Sequence, residues 1–542
     1  MTELHLPWLQ LAIGLAVAGA LIVGRMRTAA LARGWAAFFH TLVLLTTTGA
    51  WIDFGLTDAP LASDRFNLLY QFTGRELLVI DGFSAPLLPL VALVFLFTTV
   101  TTLRTKLRRF SFAWALLGEA VLLAAFSCRA PLAVAALLVV SAIPPYLELK
   151  ARGKSTRVYV LHMAAFAVLI GLGSVALVAV QPARDGLGAA AGTTVHGALA
   201  SQAESDTADA QAAEPAAQGE AAEAATSGPL VAALDTTSSG DPPAWAVVAL
   251  VLAVWIRGGL VPLHTWKTDL FEHATFGGSL LMASSLGGAY AAVRLLLPTA
   301  PDWALSLLGG ASLATAVYAS GMALVQNEAR RFFAYLFLSN SALVLVGLET
   351  ASAVGVAGAL CVWISAVLSL GGFGLTLRAV EARLGRLSLT EYHGLYEHVP
   401  TLAAFFLLTG LASVGFPGTL GFVGGELLMD GAVQAYAYIG MAVVLAAALN
   451  GIAVVRAYFL LFTGRRHPAT VSLRRRGRER FAVLALAALI LGGGLIPQPG
   501  VVSRFEAAVM LLAQRKYHRA PAQTATPDQH HDESWWESSS GG

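Results

Sequence analysis

Charged side chains are scarce in this 542-residue chain, in which Asp, Glu, Lys and Arg make up 13% of the residues and hydrophobic residues make up 56%. Soluble globular proteins carry about 25% charged residues, so this composition excludes an ordinary soluble domain. The formal net charge is only +2, and the basic residues lie in short segments between apolar runs, which gives no indication of nucleic-acid binding. Apolar runs of bilayer-spanning length recur along the sequence, so we predict a polytopic membrane protein.

Cysteine and the common catalytic motifs are also scarce. Cys128 and Cys361 are the two cysteines. Both lie in or beside apolar runs without metal-ligand spacing, and we interpret them as packing residues. The sequence has no P-loop, dinucleotide fingerprint, CxxC pair or Ser-His-Asp spacing. We therefore expect no catalytic centre, no cofactor and no metal. The first apolar run lacks a basic segment before it and a clear cleavage site, so we also expect no cleavable signal peptide.

About fourteen apolar segments are long enough to be transmembrane helices, at roughly 20 residues per span. They lie near residues 8–24, 35–52, 83–103, 111–128, 130–147, 158–180, 244–262, 275–297, 303–325, 331–349, 353–376, 400–427, 433–462 and 481–497. Basic residues follow every second span, from the first to the thirteenth. By the positive-inside rule those segments are cytoplasmic, so we predict an all-α protein of the inner (plasma) membrane with both termini outside.

Composition divides the chain into four parts. Residues 1–180 contain spans one to six, and residues 244–515 contain spans seven to fourteen with a C-terminal segment. Between them, residues 181–243 are rich in Ala, Ser, Gln and acidic side chains, a composition that cannot bury enough apolar surface to fold alone. We predict a disordered external loop there and a polar tail at 516–542, whose last residues, SSSGG, resemble a linker. No long amphipathic helix is predicted after the fourteenth span.

Two of the apolar segments are interrupted. In IRGGLVPLHTWKTD at 256–269, Arg257 directly precedes two glycines and a proline. In SVGFPGTLGFVGGELLMD at 413–430, the interruption at Phe416–Gly418 is followed by Glu426. Membrane transporters build ion sites from broken helices, because the break frees backbone dipoles beside a cavity. Paired interruptions in the two halves therefore predict two pseudo-repeats with broken seventh and twelfth helices.

Seven ionisable residues lie in or beside apolar runs and are candidates for an ion pathway, since ionisable groups at membrane depth are costly and usually functional. They are Glu119, His162, Arg257, His264, Glu426, Asp430 and Arg456. A buried Arg257 needs an acidic partner, for which Glu119 is expected first and Glu426 second. The other interpretation is that Arg257 snorkels to the membrane interface. Glu426 is also the expected partner of Arg456, either as a structural ion pair or as a relay.

The other candidates also have structural interpretations. Glu119 is either a partner of the seventh-span charge or a protonated acid that is hydrogen-bonded to a neighbouring helix. His162 is either a pathway residue or a satisfied core histidine. His264 is either the cytoplasmic mouth of a path or a loop cap. Glu426 and Asp430 lie four residues apart on one helical face, where they form an exit to the outside or solvate a helix end.

Four stretches carry a family pattern. They are DGFSAPLLPLVALV at 81–94, IRGGLVPLHTWKTD at 256–269, NEARRFFAYLFLSNSALVLVGL at 327–348 and PTLAAFFLLTGLASVGFPGTLGFVGGELL at 400–428. Together they resemble the antiporter-like proton-translocating membrane subunits of respiratory complex I (the NuoL, NuoM and NuoN type), and the NuoM-like branch most. Relatives occur in Mrp antiporters, membrane-bound hydrogenases and DabB subunits. The resemblance implies a row of charged groups at mid-membrane depth, linked by water, along which a redox partner drives proton movement.

The chain departs from that row at most positions. The resemblance places the fifth-span glutamate at Val139, the seventh-span lysine at Arg257 and the eighth-span lysine near Gly288 or Leu286. It places the tenth-span histidine at Asn340 and the eleventh-span histidine and lysine near Ser365 and Ser369. The twelfth-span acid falls at Gly425. Arginine does not release its proton in proteins. No Lys or Glu lies within the apolar parts of spans eight to eleven.

Three functions are compatible with this pattern. The first is an antiporter-like subunit of a complex I-type proton- or cation-translocating assembly. It would lie in the lipid membrane and assemble with redox or hydrogenase subunits. The second is the membrane subunit of a DabB-type inorganic-carbon uptake complex with a carbonic-anhydrase-like partner. The third is a degenerate copy that acts as a structural membrane anchor. Co-purifying iron–sulfur or NiFe subunits would support the first function, and a single large soluble zinc protein would support the second.

Labelling in intact cells tests the predicted orientation. A cysteine that replaces Lys154 should be protected from an impermeant thiol reagent, because basic segments stay in the cytoplasm. A cysteine that replaces Ala210, in the predicted external loop, should be labelled. Labelling of the first position with protection of the second would reverse the topology.

Overall fold

The computed structural model describes residues 2–57, 59–67, 70, 76–103, 107–108, 110–180, 242–464 and 477–519. The predicted external loop, except for its last two residues, lies outside the described residues. So do the tail beyond residue 519 and several arginines of the predicted cytoplasmic segments.

Helices form most of the described chain, which confirms the predicted helical membrane-protein class. They are α1 (Trp8–Gly24), α2 (Ala29–Gly55), α3 (Leu87–Val100), α4 (Phe112–Phe126), α5 (Pro131–Val140), α6 (Ile143–Ala151), α7 (Arg157–Val180), α8 (Ala244–Gly258), α9 (Thr265–His273), α10 (Phe276–Ser284), α11 (Gly287–Ala291), a π-helix (Ala292–Leu296), α12 (Asp302–Val325), α13 (Ala329–Glu349), α14 (Ala353–Leu384), α15 (Pro400–Val414), α16 (Leu420–Ala435), α17 (Ala437–Phe462), α18 (Gly477–Leu495) and α19 (Gln498–Arg519). Within a bilayer, a helix satisfies its own backbone hydrogen bonds, so long apolar runs fold this way.

The chain also forms a small sheet that the all-helical prediction missed. It contains β1 (Thr2–Leu4), β2 (Leu61–Asp64) and β3 (Val79–Asp81), in the order β1-β2-β3. β1 pairs with β2 in parallel and β2 with β3 in antiparallel. Strands of three or four residues are too short to show the alternating apolar pattern from which strands are predicted.

The helices form a buried centre and an outer layer. In the most apolar 18-residue stretch of the segment from α10 through the π-helix, 94% of the residues are buried. The corresponding shares for α13 and α14 are 89% and 83%. By contrast, α2 is 28% buried, and α7 and α17 are each 39% buried. Helices that are apolar on every side and buried belong to the core of a bundle. The outer helices expose large apolar side chains, as expected for surfaces in contact with lipid.

Among the described residues, eight helices reach membrane-spanning length and hydropathy, and α18 with α19 forms a bent pair that would make a ninth. Five further apolar helices are shorter: α1, α3, α4, α8 and α15. The total of fourteen spans therefore stays a prediction. Both predicted interruptions are present, because α8 is separated from α9 and α15 from α16.

The expectation of no long helix after the fourteenth span is wrong, because α19 follows α18 across a 77° bend. Arg504 Nη2 donates to the Gly82 carbonyl at 2.7 Å, and Arg515 Nη1 donates to the carbonyls of Leu297 and Ala300 at 2.8 Å each. Both arginines are buried. The buried face of α19 thus contains arginines between small residues, which hid its apolar periodicity in the sequence.

A buried ion pair joins the sheet to the π-helix. Arg294 donates to both carboxylate oxygens of Asp81, at 2.5 and 3.0 Å. Its guanidinium also lies 4.9 Å from the centroid of the Phe83 ring. Burial alone would raise the pKa of Asp81, but the Arg294 charge and its hydrogen bonds hold that pKa well below its usual range. The bidentate geometry fixes this end of the bundle.

The contact between α8 and α11 depends on Gly288. A Cβ atom at this position would lie 2.4 Å from the Gly258 nitrogen and 2.6 Å from the Gly258 Cα. The backbone of α8 therefore occupies the space that a side chain would need. This contact explains why the lysine that the family resemblance places near Gly288 is absent, since the two helices could not approach this closely around it.

Alanine substitutions test this contact. Gly288→Ala should destabilise the purified full chain by about 1–3 kcal/mol or more, because the added methyl group meets backbone atoms that cannot rotate away. Gly310→Ala is the matched control within α12, where a Cβ meets nothing within 4 Å. It should be neutral or stabilising by about 0.5–1 kcal/mol. Thermal unfolding in nanodiscs measures both, and equal melting temperatures would contradict the close contact.

Candidate functional site

The broken segment between α8 and α9 is the centre of the candidate site. α8 ends at Gly258, and Gly259 follows with φ +72°, in the left-handed region that favours glycine. The chain then passes through Pro262 before α9 begins at Thr265. The amide nitrogens of Gly259 and Leu260 donate back to α8 carbonyls, at 3.0 Å each. The helix therefore ends in a hydrogen-bonded turn, as expected for glycine at this position.

Side chains from the same segment satisfy the carbonyls that the break frees. Trp266 Nε1 donates to the Ile256 carbonyl at 2.8 Å, and Lys267 Nζ donates to the Gly258 carbonyl. Trp255 Nε1 donates to the Val261 carbonyl at 2.9 Å. An unpaired carbonyl in an apolar environment costs several kcal/mol, so these side chains make the break tolerable at this depth.

Arg257 is 3% exposed and has no acidic partner among the described residues. Its Nη2 donates to the Ser141 hydroxyl at 2.7 Å, between α5 and α6. Its Nη1 faces the sulfur atoms of Met282 and Met163, at 3.5 and 3.7 Å, and its guanidinium lies 5.6 Å from the Phe166 ring centroid. Polarizable sulfur and an aromatic face stabilise a cation without neutralising it. The snorkelling interpretation does not fit this burial.

The expected pairing of Arg257 with Glu119 is wrong. Glu119 Oε2 and His40 Nδ1 share a hydrogen bond of 2.7 Å, and both side chains are fully buried. The carboxyl of Glu119 is therefore hydrogen-bonded to a side chain of α2 and not to Arg257 of α8. Sequence analysis missed His40, although a lone histidine within the apolar run AAFFHTLVLL was the available signal.

Lys267 is a second buried cation, which was not among the residues that the sequence analysis selected. It lies in α9 and is 7% exposed. Its ammonium group caps the carbonyl end of α8, where the helix dipole favours positive charge. A cavity of about 20 Å³ is lined by Lys267, Arg257 and the glycines of the α8–α11 contact. That volume is enough for about one water molecule.

A larger cleft approaches this centre from one end of the bundle. It has a volume of about 1020 Å³, and its lining includes Arg27, Arg108 and Arg152. These arginines belong to three basic segments that the sequence places on the same side. Its lining also includes the buried residues Ser141 and Ser285. Since Ser141 bonds Arg257, the cleft reaches the immediate surroundings of the buried cation.

The second break has a similar backbone but different charges. α15 ends before Gly415, whose φ is +88°, and α16 then packs closely on α14. A Cβ at Gly424 would lie 2.8 Å from the Val362 nitrogen, whereas one at Gly425 would meet nothing within 4 Å. Gly424 therefore permits close packing rather than loosening the helix. Gly425, where the family acid was expected, faces away from the core.

The acids of α16 do not join the buried centre. Glu426 and Asp430 are both exposed. The expected pairing of Glu426 with Arg456 is also wrong, since Arg456 donates to the carbonyls of Gln326 and Leu389, at 3.5 and 3.4 Å. Counted from the turn at Tyr436, the two side chains differ by about ten residues, or about 15 Å along antiparallel helices.

The two candidate histidines have separate environments. His264 is 7% exposed at the start of α9, with its ring centroid 5.4 Å from Tyr318 and 5.9 Å from Tyr335. It therefore lies next to the break but faces an aromatic pocket. His162 is partly buried, and its Nδ1 donates to the Val158 carbonyl of its own helix at 2.8 Å. This contact favours the structural interpretation of His162.

Neutral polar side chains occupy the positions of the expected row in α13 and α14. Asn340 Nδ2 donates to the Leu336 carbonyl at 2.9 Å, and Ser369 Oγ donates to the Ser365 carbonyl at 2.6 Å. All three polar side chains are buried. From the broken α8 towards α16, the described part of this row therefore contains groups that can orient water but cannot change charge.

Sequence comparison identifies relatives over part of the chain. Residues 230–450 match the family model described as "NADH:quinone oxidoreductase/Mrp antiporter, TM". NADH-quinone oxidoreductase subunit M of Rickettsia conorii is 31% identical over 189 residues, which is 34% of this chain and 38% of the relative. NAD(P)H-quinone oxidoreductase chain 4 of Prochlorococcus marinus is 29% identical over 267 residues, covering 46% of this chain and 50% of the relative. The chain thus spans at most about half the length of these relatives.

Structural similarity extends over nearly the whole chain. A chain of respiratory complex I from Thermus thermophilus superposes with a TM-score of 0.73 and 23% identity, covering 94% of this chain and 99% of that chain. A chain of the Mrp complex from Dietzia sp. DQ12-45-1b gives 0.70 and 17% identity, with the same coverage of both chains. The fold is therefore that of these polytopic subunits. Together with the family-model match over residues 230–450, which include the broken α8–α9 segment, it makes this chain similar to the membrane subunits of the complex I and Mrp antiporter type.

Proposed function

We propose that this chain is the antiporter-like membrane subunit of a complex I-type assembly that moves protons or cations and couples this movement to a partner redox module. The observation that carries the proposal is the broken α8–α9 segment, which holds two buried cations beside a water-sized cavity. The names of the relatives support a redox partner, since they are subunits of quinone oxidoreductases. We place the assembly in the inner (plasma) membrane with both termini outside.

Within this proposal, the two cations have different roles. Arg257 is a fixed positive charge, because a guanidinium keeps its proton in proteins. Lys267 is the titratable group at the break, since a buried lysine readily changes protonation state. Its ammonium is held by the Gly258 carbonyl, and the small cavity next to both cations has room for a water molecule that can receive the proton. His264 adjoins this segment, whereas Glu426, Asp430 and Arg456 form no part of the central path.

One observation favours a second function, that of a structural membrane anchor with little ion flux. Neutral side chains stand at the positions corresponding to the family's lysine and histidine residues in α11, α13 and α14. A row without titratable groups depends on water alone to carry protons towards α16. In that case the buried cations stabilise the broken helix and do not exchange protons.

Purification followed by flux measurement separates these functions. A tagged chain should co-purify with redox subunits and transport protons in vesicles that contain the assembly. Lys267→Met should abolish most of the flux and Arg257→Lys should retain it, because lysine keeps the positive charge. Glu426→Gln is the control at an exposed carboxylate and should leave the flux unchanged. Intact assemblies without flux in any variant or in the parent chain would favour the anchor instead.

Because Arg257 is buried without an acidic partner among the described residues, removing its charge should not destabilise the protein. Arg257→Met should leave the melting temperature unchanged or raise it, because it removes a buried charge that has no described counter-ion and fills a similar volume. Ser141→Ala should cost about 1.5–3 kcal/mol, since it leaves a charged donor without its hydroxyl acceptor.

Ser369→Ala is the matched control, because Ser369 is a buried helical serine that bonds only the carbonyl one turn earlier in its own helix. It should cost about 1 kcal/mol or less. Thermal and denaturant unfolding of the full chain in nanodiscs measures all three variants. Severe destabilisation by Arg257→Met would show that an acid compensates the arginine after all.

A further inference from the structure

A second buried polar centre lies outside the broken helix. His40 and Glu119 are each 0% exposed, and their 2.7 Å contact joins α2 to α4 near the middle of both helices. Two of their polar atoms, His40 Nε2 and Glu119 Oε1, are buried without a hydrogen-bond partner. Unpaired buried polar atoms are rare in folded proteins and require a physical reason. A pair used only to hold helices together would gain from satisfying them.

No other charged side chain compensates this pair within the helices that surround it. α1, α3 and α5 pack against α2 or α4, and none of these three helices contains Asp, Glu, Lys, Arg or His. α2 itself also contains Arg33 and Asp53, and the other elements that contact α2 or α4 contain Glu3, Glu148 and Lys150. Asp53 is bonded by His5 and Trp8, and Glu148 accepts from the Thr275 nitrogen.

The large cleft leads towards this pair as well as towards Arg257. Its wall includes Ala32, Phe95, Gly118 and Leu122, from α2, α3 and α4. Gly118 is the chain neighbour of Glu119. The Phe95 ring lies 6.1 Å from the His40 ring, and a Cβ on Gly118 would touch it at 3.8 Å. Phe95 therefore both lines the cleft and lies beside His40.

We propose that His40 and Glu119 form a proton-binding site that exchanges protons with water in the cleft past Phe95, separately from the α8–α9 centre. With one shared proton, the pair is either a carboxylic acid bonded to neutral imidazole or a carboxylate bonded to imidazolium, and neither form has a net charge. Loss of that proton to cleft water leaves one negative charge, and its return restores neutrality. The two groups bind this proton as one unit because they share a hydrogen bond.

The unpartnered atoms fit this role. Glu119 Oε1 and His40 Nε2 are the free positions at which a water molecule from the cleft can deliver or accept the proton. The surrounding apolar helices disfavour any state with a net charge, so the site holds one proton at rest and releases it only when water reaches it. This chemistry does not require the chain to translocate ions, so the inference goes beyond the proposed function.

Infrared difference spectroscopy on the full chain in nanodiscs tests the site without partner subunits. Titration should reveal a protonated-carboxyl C=O band that shifts in D₂O. Glu119→Gln should remove that band while keeping a hydrogen bond to His40, and His40→Gln should move its titration midpoint. Glu426→Gln, at an exposed carboxylate, should leave the band in place.

Two phenylalanine variants test the route. Phe95→Ala should accelerate D₂O exchange of the carboxyl band, because it opens the cleft to the pair. Phe97→Ala is the matched control, since Phe97 is equally buried on the same helix but faces Phe481. A folded Glu119→Gln variant that keeps the band would overturn the site. A Glu119 band that neither titrates nor exchanges would overturn it too, by showing a sealed structural hydrogen bond.

Discussion

The structure depends on how its buried backbone carbonyls are satisfied where a helix breaks inside an apolar bundle. At the end of α8, Trp266 and Lys267 turn back and donate to the last carbonyls of the helix that precedes them. The break thus carries its own hydrogen-bond donors and needs no neighbouring helix for this purpose. One of those donors is an ammonium, so satisfying the backbone also places a positive charge in the buried interior of the bundle.

A second constraint is the close contact of α8 with α11 at Gly288. It holds the broken end of α8 against the core, and it leaves no room for a side chain on that face of α11. The backbone of α8 therefore fills the space that a lysine side chain would need at the position given by the family resemblance. Positive charge is instead supplied from α8 and α9, by Arg257 and Lys267, and both line the small cavity at this contact.

The two breaks show that backbone similarity and chemical similarity are separate properties. Both contain a glycine in the left-handed region, Gly259 and Gly415, followed by a second helix. The first break encloses cations, whereas the acids after the second, Glu426 and Asp430, are exposed. Pseudo-repeats of this kind supply two equivalent frames, and the side chains decide what each frame can bind.

The sequence by itself determined the membrane class, the positions of most helices and both breaks, because apolar length, glycine and proline act locally along the chain. It could not determine partners for buried charges, since these depend on which helices become neighbours. Arg257 contacts Ser141 and two methionines rather than Glu119, and Glu119 contacts His40, a lone histidine in a different apolar run. The buried face of α19 was hidden for a similar reason, because its arginines reach carbonyls more than 200 residues away. Only tertiary packing decides such pairs, because a buried charge is stabilised by whatever lies within about 4 Å of it in space.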